Sequence, residues 1–419
     1  MILYYTLLVT LTLAHQRFFT YRLFGFTVEK YLGLGCLLLA LLYLPLRKTS
    51  ARIWRSGQAR AFLLFFVLAA ASWLALGQGH FQDSMMLVYV SELAFLVSTV
   101  ILIDSPERLR WSLLAVIAGV AWAALYALRE WQKAFPIYGL RYRPQWSPAG
   151  DPNYFTASAV LCLPIAFYLL ARGKSRFDRF FSAACLFPIA GAILVDASRG
   201  GLLALIAAGA VIFAQARGRR GLFLLLGGGL ALVLLLSPVS PVRRFLDPSA
   251  GDKTAVNDRL ELWSAGLRMI EAHPTTGIGL GNFEAYVPAY LAPGEHIDFI
   301  AHNTYIEMAA EMGLPGLALF LAILLCTLRS LNRTRLLAEE AKSTLIYCAA
   351  SGLRAGLVGF AVAMVFLSAE FLKVLWFAVF LSSALAALMA NAPEPATDQA
   401  ASPVWIGAKR ANAALNEGR

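Results

Sequence analysis

Long apolar runs separated by short polar junctions extend over almost the whole chain. A helix needs ~20 mainly apolar residues to cross a bilayer, and runs close to that length recur along the sequence. They predict about twelve spans by the hydropathy window rule, at residues 2–14, 31–46, 59–77, 85–103, 110–128, 154–171, 180–196, 200–215, 221–237, 303–328, 343–367 and 371–391. The pattern therefore predicts an all-α integral membrane protein. We expect residues 1–391 to form one polytopic transmembrane domain and the Pro- and Ala-rich segment 392–419 to be a disordered tail.

Composition agrees with this prediction. The 419 residues are 59% hydrophobic and only 15% charged, and the mean hydropathy is +0.65. These values lie outside the range of ordinary soluble domains. No HExxH, CxxC or DxD pattern occurs, so we expect neither a metal site nor a cofactor.

The positions of lysine and arginine predict the orientation. With the N-terminus inside, each cytoplasmic junction is basic, as the positive-inside rule requires, and the C-terminal tail is cytoplasmic. These junctions are LRKTSARIWRSGQAR, DSPERLR, RGKSRFDR, ARGRR and RSLNRTRLLAEEAK. Much of the net charge of +11 is thus topogenic and faces membrane lipids, so no nucleic-acid partner is expected.

Arginines on the opposite, external face need another explanation. That face has two long loops, about 129–152 and 238–301, where the topology rule disfavours positive charge. Arg141 and Arg143 lie in the first loop, Arg259 in the second, and Arg199 in a short turn. A bound anion at this face would account for them, although Arg141 and Arg143 are equally well interpreted as ordinary loop residues.

The second loop contains a predicted amphipathic helix over residues 258–272. Asp258 and Glu261 have the spacing of a cap and its reciprocal partner, and Pro274 ends the segment. Arg259 would lie in the first turn, where free N–H groups favour an anion and a guanidinium can bind phosphate oxygens with two bonds. The alternative is an interfacial arginine that reaches lipid headgroups.

His302 precedes Thr304 and Glu307, which have capping-box spacing at the start of the tenth span. A neutral imidazole at this place can accept a proton from an alcohol. The alternative is a capping or packing histidine. The segment Gly313-Leu-Pro-Gly316 should interrupt the helix, because proline lacks a backbone donor.

Other residues are weaker candidates. Asn303 and Tyr305 flank the histidine and are candidates for orienting it, although a helix cap explains Asn303 equally well. Glu92 and Arg354 lie inside predicted spans, where charged residues are candidates for a function; the alternative is that they simply pair with each other. The segment GIGLGNF is predicted to be a tight turn instead of a nucleotide-binding loop, because it follows a helix-like segment.

Three blocks, taken in order, carry a resemblance: SRGGLLAL, NDRLELWSAGLRMIEAHPTTGIGLGNF and HNTYIEMAAEMGLPG. Together they resemble the signature region of the bacterial O-antigen ligase (WaaL-type) family, whose superfamily includes Wzy-like O-antigen polymerases and protein O-oligosaccharyltransferases. The resemblance covers about residues 195–330. It implies a metal-independent, GT-C-type glycosyltransferase of the inner membrane that acts on the periplasmic face. Arg199, Arg259 and His302 match the family's functional positions.

The implied donor is an O-antigen glycan on undecaprenyl pyrophosphate, and the implied acceptor is lipid A-core. Arginines would bind the pyrophosphate, His302 would deprotonate the acceptor, and attack from the opposite side would invert the anomeric carbon. A polymerase or protein O-oligosaccharyltransferase would use the same donor. A lipid-linked glycan transporter is the non-enzymatic alternative. It predicts charges lining the midplane and internal repeats, whereas this sequence shows no such repeat and its unusual charges gather at one face.

Overall fold

The computed structural model describes residues 1–11, 22–23, 26–44, 56–76, 80–138, 152–216, 242, 250–292 and 300–391. Within these ranges the regular structure is helical, apart from a small antiparallel ribbon of β1 (Arg22–Leu23) and β2 (Phe26–Thr27). The helices are α1 (Ile2–Thr10), α2 (Val28–Tyr43), α3 (Gly57–Leu76), α4 (His80–Leu102), α5 (Pro106–Tyr138), α6 (Pro152–Arg172), α7 (Arg176–Asp196), α8 (Arg199–Gln215), α9 (Ala250–Ala272), α10 (Phe283–Tyr290), α11 (Thr304–Glu340), α12 (Thr344–Ala363) and α13 (Lys373–Ala390).

Eight helices in the described ranges are long and apolar enough to cross a membrane. They are α3 to α7 and α11 to α13, whereas α8 is apolar but shorter. Each predicted span except 221–237, which lies outside the described residues, contains a helix. The chain is therefore a multi-pass membrane protein. The total of twelve spans and the GT-C architecture stay predictions.

Many outward-facing side chains on these helices are large and apolar, as a lipid environment allows. On α3, Leu64, Val67 and Leu74 are 60%, 64% and 76% exposed. A soluble protein rarely exposes so many large apolar groups together, whereas lipid tails accept them without loss. The inward face of the same helix carries Phe62 and Phe65, which are fully buried.

The bundle is held together at its centre by aromatic packing. Trp376 of α13 lies against Phe62 at a centroid distance of 5.0 Å and also contacts Phe320 of α11. Phe65 meets Tyr89 of α4 edge-on at 5.3 Å. These edge and offset contacts are the favourable geometries for aromatic pairs, and they fix α3, α4, α11 and α13 relative to one another.

Helix α12 packs extensively against α6 and α8 because glycines line one of its faces. Gly352 and Gly356 face α6, and Gly359 faces the Ala204 carbonyl of α8. Their spacing of four and three residues places them on one stripe of the helix. Small residues in such a stripe let helix backbones approach closely inside a membrane.

Replacing one of these glycines should destabilise the bundle. A Cβ at position 356 would lie 2.1 Å from the Leu161 carbonyl oxygen, so the backbones of α6 and α12 would have to separate. We expect Gly356→Ala to lower the free energy of unfolding by about 1–3 kcal/mol, as overpacking does, measured as a lower melting temperature in detergent. Gly209→Ala is the matched control, because nothing lies within 4 Å of its Cβ. Equal melting temperatures for the two variants would contradict the close approach.

The predicted pairing of Glu92 with Arg354 is wrong. Buried Glu92 interacts electrostatically with Lys373 and Glu29, whereas Arg354 interacts with Arg335 and the Tyr168 hydroxyl. Lys373 Nζ donates to Glu29 Oε1 at 2.8 Å, which joins the start of α13 to the start of α2. Sequence position alone did not show which helices are neighbours.

Candidate active site

His302 lies at the sharp bend where the chain enters α11. Its backbone has φ 50°, a left-handed conformation that is uncommon for residues other than glycine but occurs more often for Asn, Asp and His. The side chain is half-buried. Sparsely populated backbone conformations cluster at functional sites, where the surrounding structure holds them in place.

The residues after His302 supply that support. Asn303 is the N-cap of α11, and its side-chain oxygen accepts the N–H groups of Tyr305 and Ile306. The Thr304 N–H donates to the Met364 and Leu367 carbonyls. Its hydroxyl donates to Leu367 O at 2.7 Å and accepts from Ala369 N at 2.8 Å.

Two sequence interpretations are settled by this geometry. The capping box of Thr304 and Glu307 is wrong: Asn303 is the cap, and the Glu307 carboxylate instead accepts the Ser368 hydroxyl. The interpretation of Asn303 as a cap is confirmed. The Tyr305 hydroxyl donates to the Ala361 carbonyl at 2.8 Å, so it anchors α11 to α12.

Arg199 is the first residue of α8, whose N-cap Ser198 accepts the Gly201 N–H. The Ser198 hydroxyl also donates to Asn153 Oδ1 at 2.6 Å, which ties this end of α8 to the start of α6. The glycines that follow Arg199 permit close contact, because a Cβ on Gly200 would lie 3.2 Å from Phe366 Cβ. The end of α8 that carries Arg199 therefore packs on the same 364–369 segment that holds Thr304.

Arg259 lies on α9, and this helix contacts the residue directly before His302. Trp263, one turn beyond Arg259, donates its indole N–H to the Ala301 carbonyl at 3.0 Å, directly before His302. A Cβ on Gly266 would lie 2.4 Å from Ile306, so α9 crosses the first turns of α11 closely. The amphipathic helix predicted here is confirmed.

The predicted start of that helix is wrong. Helix α9 begins at Ala250, so Asp258 is not its N-cap and Arg259 lies in the helix interior. The N–H groups around Arg259 are consumed by helical hydrogen bonds, and the anion site at a helix start is not present there.

The break in α11 is confirmed and has a structural partner. Gly313 has φ 67° and ψ 179°, which interrupts the helix and leaves upstream carbonyls without intrahelical donors. The turn after α9 supplies those donors: Ile278 N–H bonds to Ala310 O, and Gly279 N–H bonds to Glu311 O. The tight turn predicted for GIGLGNF is also confirmed, with positive φ at Gly277, Gly279 and Gly281.

Glu311 holds this turn with two hydrogen bonds. Its carboxylate accepts the N–H groups of Gly281 at 2.8 Å and Phe283 at 3.0 Å. The turn is further held to α3, because Leu280 N–H donates to the Ser72 hydroxyl. The turn between α9 and α10 is thus fixed to the bundle at the end where His302 lies.

Loss of the Glu311 carboxylate should destabilise the turn. Glu311→Ala leaves two buried N–H groups without this acceptor, and each is expected to cost ~1–3 kcal/mol. We expect a lower melting temperature in detergent, with Glu311→Gln intermediate because one amide oxygen remains. Glu271→Ala, an exposed carboxylate on α9, serves as the control. An unchanged melting temperature for Glu311→Ala would show that these bonds contribute little.

Buried carboxylates are the site feature that the sequence analysis missed. Glu307, Glu311 and Glu370 are 5%, 2% and 1% exposed and lie close enough to interact electrostatically. Burial raises the pKa of Glu370, which lies between the spans, to about 7. It can therefore hold a proton near neutral pH, which relieves repulsion among these groups. Two glutamates four residues apart in an apolar run were the available signal.

The structure thus joins three of the predicted site segments. The residues next to His302 bond to segment 364–369 and to Trp263, and the end of α8 that carries Arg199 packs on Phe366. Arg141 and Arg143 lie outside the described residues.

Residues 183–321 match the family model described as O-Antigen ligase. Over this stretch the chain is similar to the O-antigen ligase family. The matched region begins in α7 and ends in α11, so it includes Arg199, Arg259 and His302. No curated protein matches the chain. The family implies glycosyltransferase-like ligase or polymerase activity, with polysaccharide and lipid A-core substrates in general.

Proposed function

We propose that this protein is an O-antigen ligase of the bacterial inner membrane. It transfers an O-antigen glycan from undecaprenyl pyrophosphate to lipid A-core on the periplasmic face. The family match over residues 183–321, which spans the three candidate residues, is the observation that carries the proposal. The proposal is further supported by the contacts that bring the chain segments of these three residues together at one end of the bundle.

The donor side of the reaction uses the arginines. The bond between the anomeric carbon and the pyrophosphate oxygen breaks, and negative charge grows on the departing undecaprenyl pyrophosphate. Arg199 and Arg259 bind this group and stabilise the charge, since a guanidinium offers paired N–H donors to phosphate oxygens. With this cationic pair in place, the proposed reaction proceeds without a metal ion.

The acceptor side uses His302. An imidazole nitrogen takes the proton from a hydroxyl of the lipid A-core as that oxygen bonds to the anomeric carbon. Attack occurs opposite the leaving pyrophosphate, so the product has inverted configuration. The fixed backbone around His302 keeps the imidazole in place, which is the orientation that proton transfer requires.

The molecule that receives the glycan distinguishes this function from the related activities. Purified protein is incubated with the undecaprenyl-pyrophosphate-linked glycan and rough lipopolysaccharide, with a chelator present. Glycan attached to lipid A-core is the expected product. Elongation of the donor glycan would instead establish a polymerase, and glycan on an added protein acceptor would establish a protein O-oligosaccharyltransferase. Movement of intact donor across proteoliposomes without any new bond would establish a transporter.

A further inference from the structure

A cavity of about 470 Å³ lies between the end of α6, the end of α11 and the start of α12. Its lining is mainly polar and comprises Ala171, Arg172, Ala338, Glu339, Lys342, Thr344 and Tyr347. The volume falls within the range of small-molecule sites. None of the candidate active-site residues contributes to this cavity.

The cavity is far from His302. Helix α11 begins two residues after His302, and beyond its break at Gly313 it continues to Glu340, a length of about 40 Å for this second part at the rise of an α-helix. Helix α12 then returns, and the Met364 carbonyl, just beyond its end, accepts the Thr304 N–H. The hydrocarbon core of a bilayer is ~30 Å thick, so the cavity and His302 lie at opposite ends of this helical hairpin.

Two cations of the lining are available for a ligand. The Arg172 guanidinium lies 4.8 Å from the Tyr347 ring centroid, and Lys342 is exposed. Neither has an ion pair with any residue that the structure describes. The carboxylate of the lining, Glu339, is already paired with Arg335 at 3.6 Å. The cavity therefore carries a net positive charge.

Further positive charge lies behind the lining. Arg335 and Arg172 are both close enough to the Tyr168 hydroxyl to interact with it electrostatically, and Arg354 is close to Arg335. The Nε atom of Arg335 is buried and has no hydrogen-bond partner among the described residues. Like charges gathered in this way repel one another, and a bound anion would relieve that repulsion.

The backbone fixes the position of Lys342. This residue has φ 53°, and the N–H of the following Ser343 bonds to the Ala338 carbonyl at 2.9 Å, which is the geometry of a helix C-cap. Lys342 is thus held at the rim of the cavity. Exposed Leu336 and Leu337 lie within two turns of it on α11 and present apolar surface to the surroundings.

We propose that this cavity binds the phosphate group of an anionic membrane phospholipid. Arg172 and Lys342 contact the phosphate, and the apolar surface at Leu336 and Leu337 takes the acyl chains. A free phosphate ion would pair with the cations but would leave the apolar surface uncovered. A zwitterionic lipid would bring its own cation into a cavity that is already positively charged. Basic pockets between membrane helices are typical sites for acidic headgroups. This site is independent of the proposed transferase activity.

Lipid binding by the purified full-length protein tests the proposal. Binding of phosphatidylglycerol, phosphatidylcholine and inorganic phosphate is measured by native mass spectrometry from a neutral detergent. We expect phosphatidylglycerol to bind more tightly than phosphatidylcholine. A cation near a membrane surface changes acidic-lipid affinity ~5-fold, so Arg172→Gln with Lys342→Gln should weaken phosphatidylglycerol binding ~30-fold. Arg333→Gln, an exposed arginine of α11 outside the lining, is the control and should bind as the wild type does.

Three results would overturn the proposal. Equal affinity for both lipids would exclude a site selective for anionic headgroups. Equal loss in Arg333→Gln would show that general surface charge attracts the lipid. Retention of inorganic phosphate alone would identify a free-phosphate site. If the double variant does not fold, Lys342→Gln alone provides the comparison, because its side chain is exposed and only a ~5-fold loss is then expected.

Discussion

The His302→Asn variant is expected to lose glycan transfer by ~10²–10⁴-fold, the typical contribution of a general base. Asparagine tolerates the left-handed backbone at this position, where φ is 50°, so the bend into α11 is retained. The substitution removes the imidazole proton acceptor with little backbone strain. The measurement is the initial rate of glycan transfer to rough lipopolysaccharide, together with the melting temperature of the variant.

His273→Ala is the matched control for this experiment. His273 is exposed at the end of helix α9, away from the cap of α11. We expect this variant to transfer glycan at the rate of the wild type. Transfer by His302→Asn within a few fold of the wild-type rate would contradict the role of His302 as base and would favour its interpretation as a residue of the bend alone.

The Arg259→Gln variant is expected to lower the transfer rate by ~10²–10³-fold, the usual effect of removing a donor that stabilises transition-state charge. Glutamine keeps a polar side chain, although a shorter one, and carries no charge. Arg259→Lys should restore part of the rate, because a lysine supplies the charge without the paired N–H donors. The measurement is the rate of transfer at saturating donor, so that weaker donor binding does not conceal the effect.

Arg268→Gln provides the comparison on the same helix. Arg268 is exposed and donates to the Tyr290 carbonyl at 2.6 Å, so its contact is with the backbone of α10. We expect its transfer rate to stay close to that of the wild type. Equal losses in the two variants would mean that the arginines of α9 act through general charge or stability, and the assignment of Arg259 to the pyrophosphate would then fail.

The sequence predicted the features that depend on local pattern. Apolar runs of membrane-spanning length predicted the helices, and Gly313 with Pro315 predicted the break in α11. Glycines at positions 277, 279 and 281 predicted a tight turn, which the structure confirms. Each of these features follows from the conformational preferences of a few adjacent residues.

Features that depend on tertiary contact were not predictable in this way. Asp258 has the spacing of a cap, yet α9 begins at Ala250, because spacing does not show where a helix starts when its upstream residues also form helix. Thr304 and Glu307 have capping-box spacing, but their side chains bond to Leu367 and Ser368 across the bundle. Partners some sixty residues away leave no signature in a local pattern.

The central claim is that this protein moves a glycan from undecaprenyl pyrophosphate to lipid A-core, and one reconstituted reaction tests it most directly. Protein, purified donor, rough lipopolysaccharide and chelator are combined, and glycosylated lipid A-core and released undecaprenyl pyrophosphate are quantified together. The proposed function predicts that the two products appear in equal amounts with the wild type and that both are lost with folded His302→Asn. Release of undecaprenyl pyrophosphate without glycosylated lipid A-core, or no reaction by folded wild type, would contradict it.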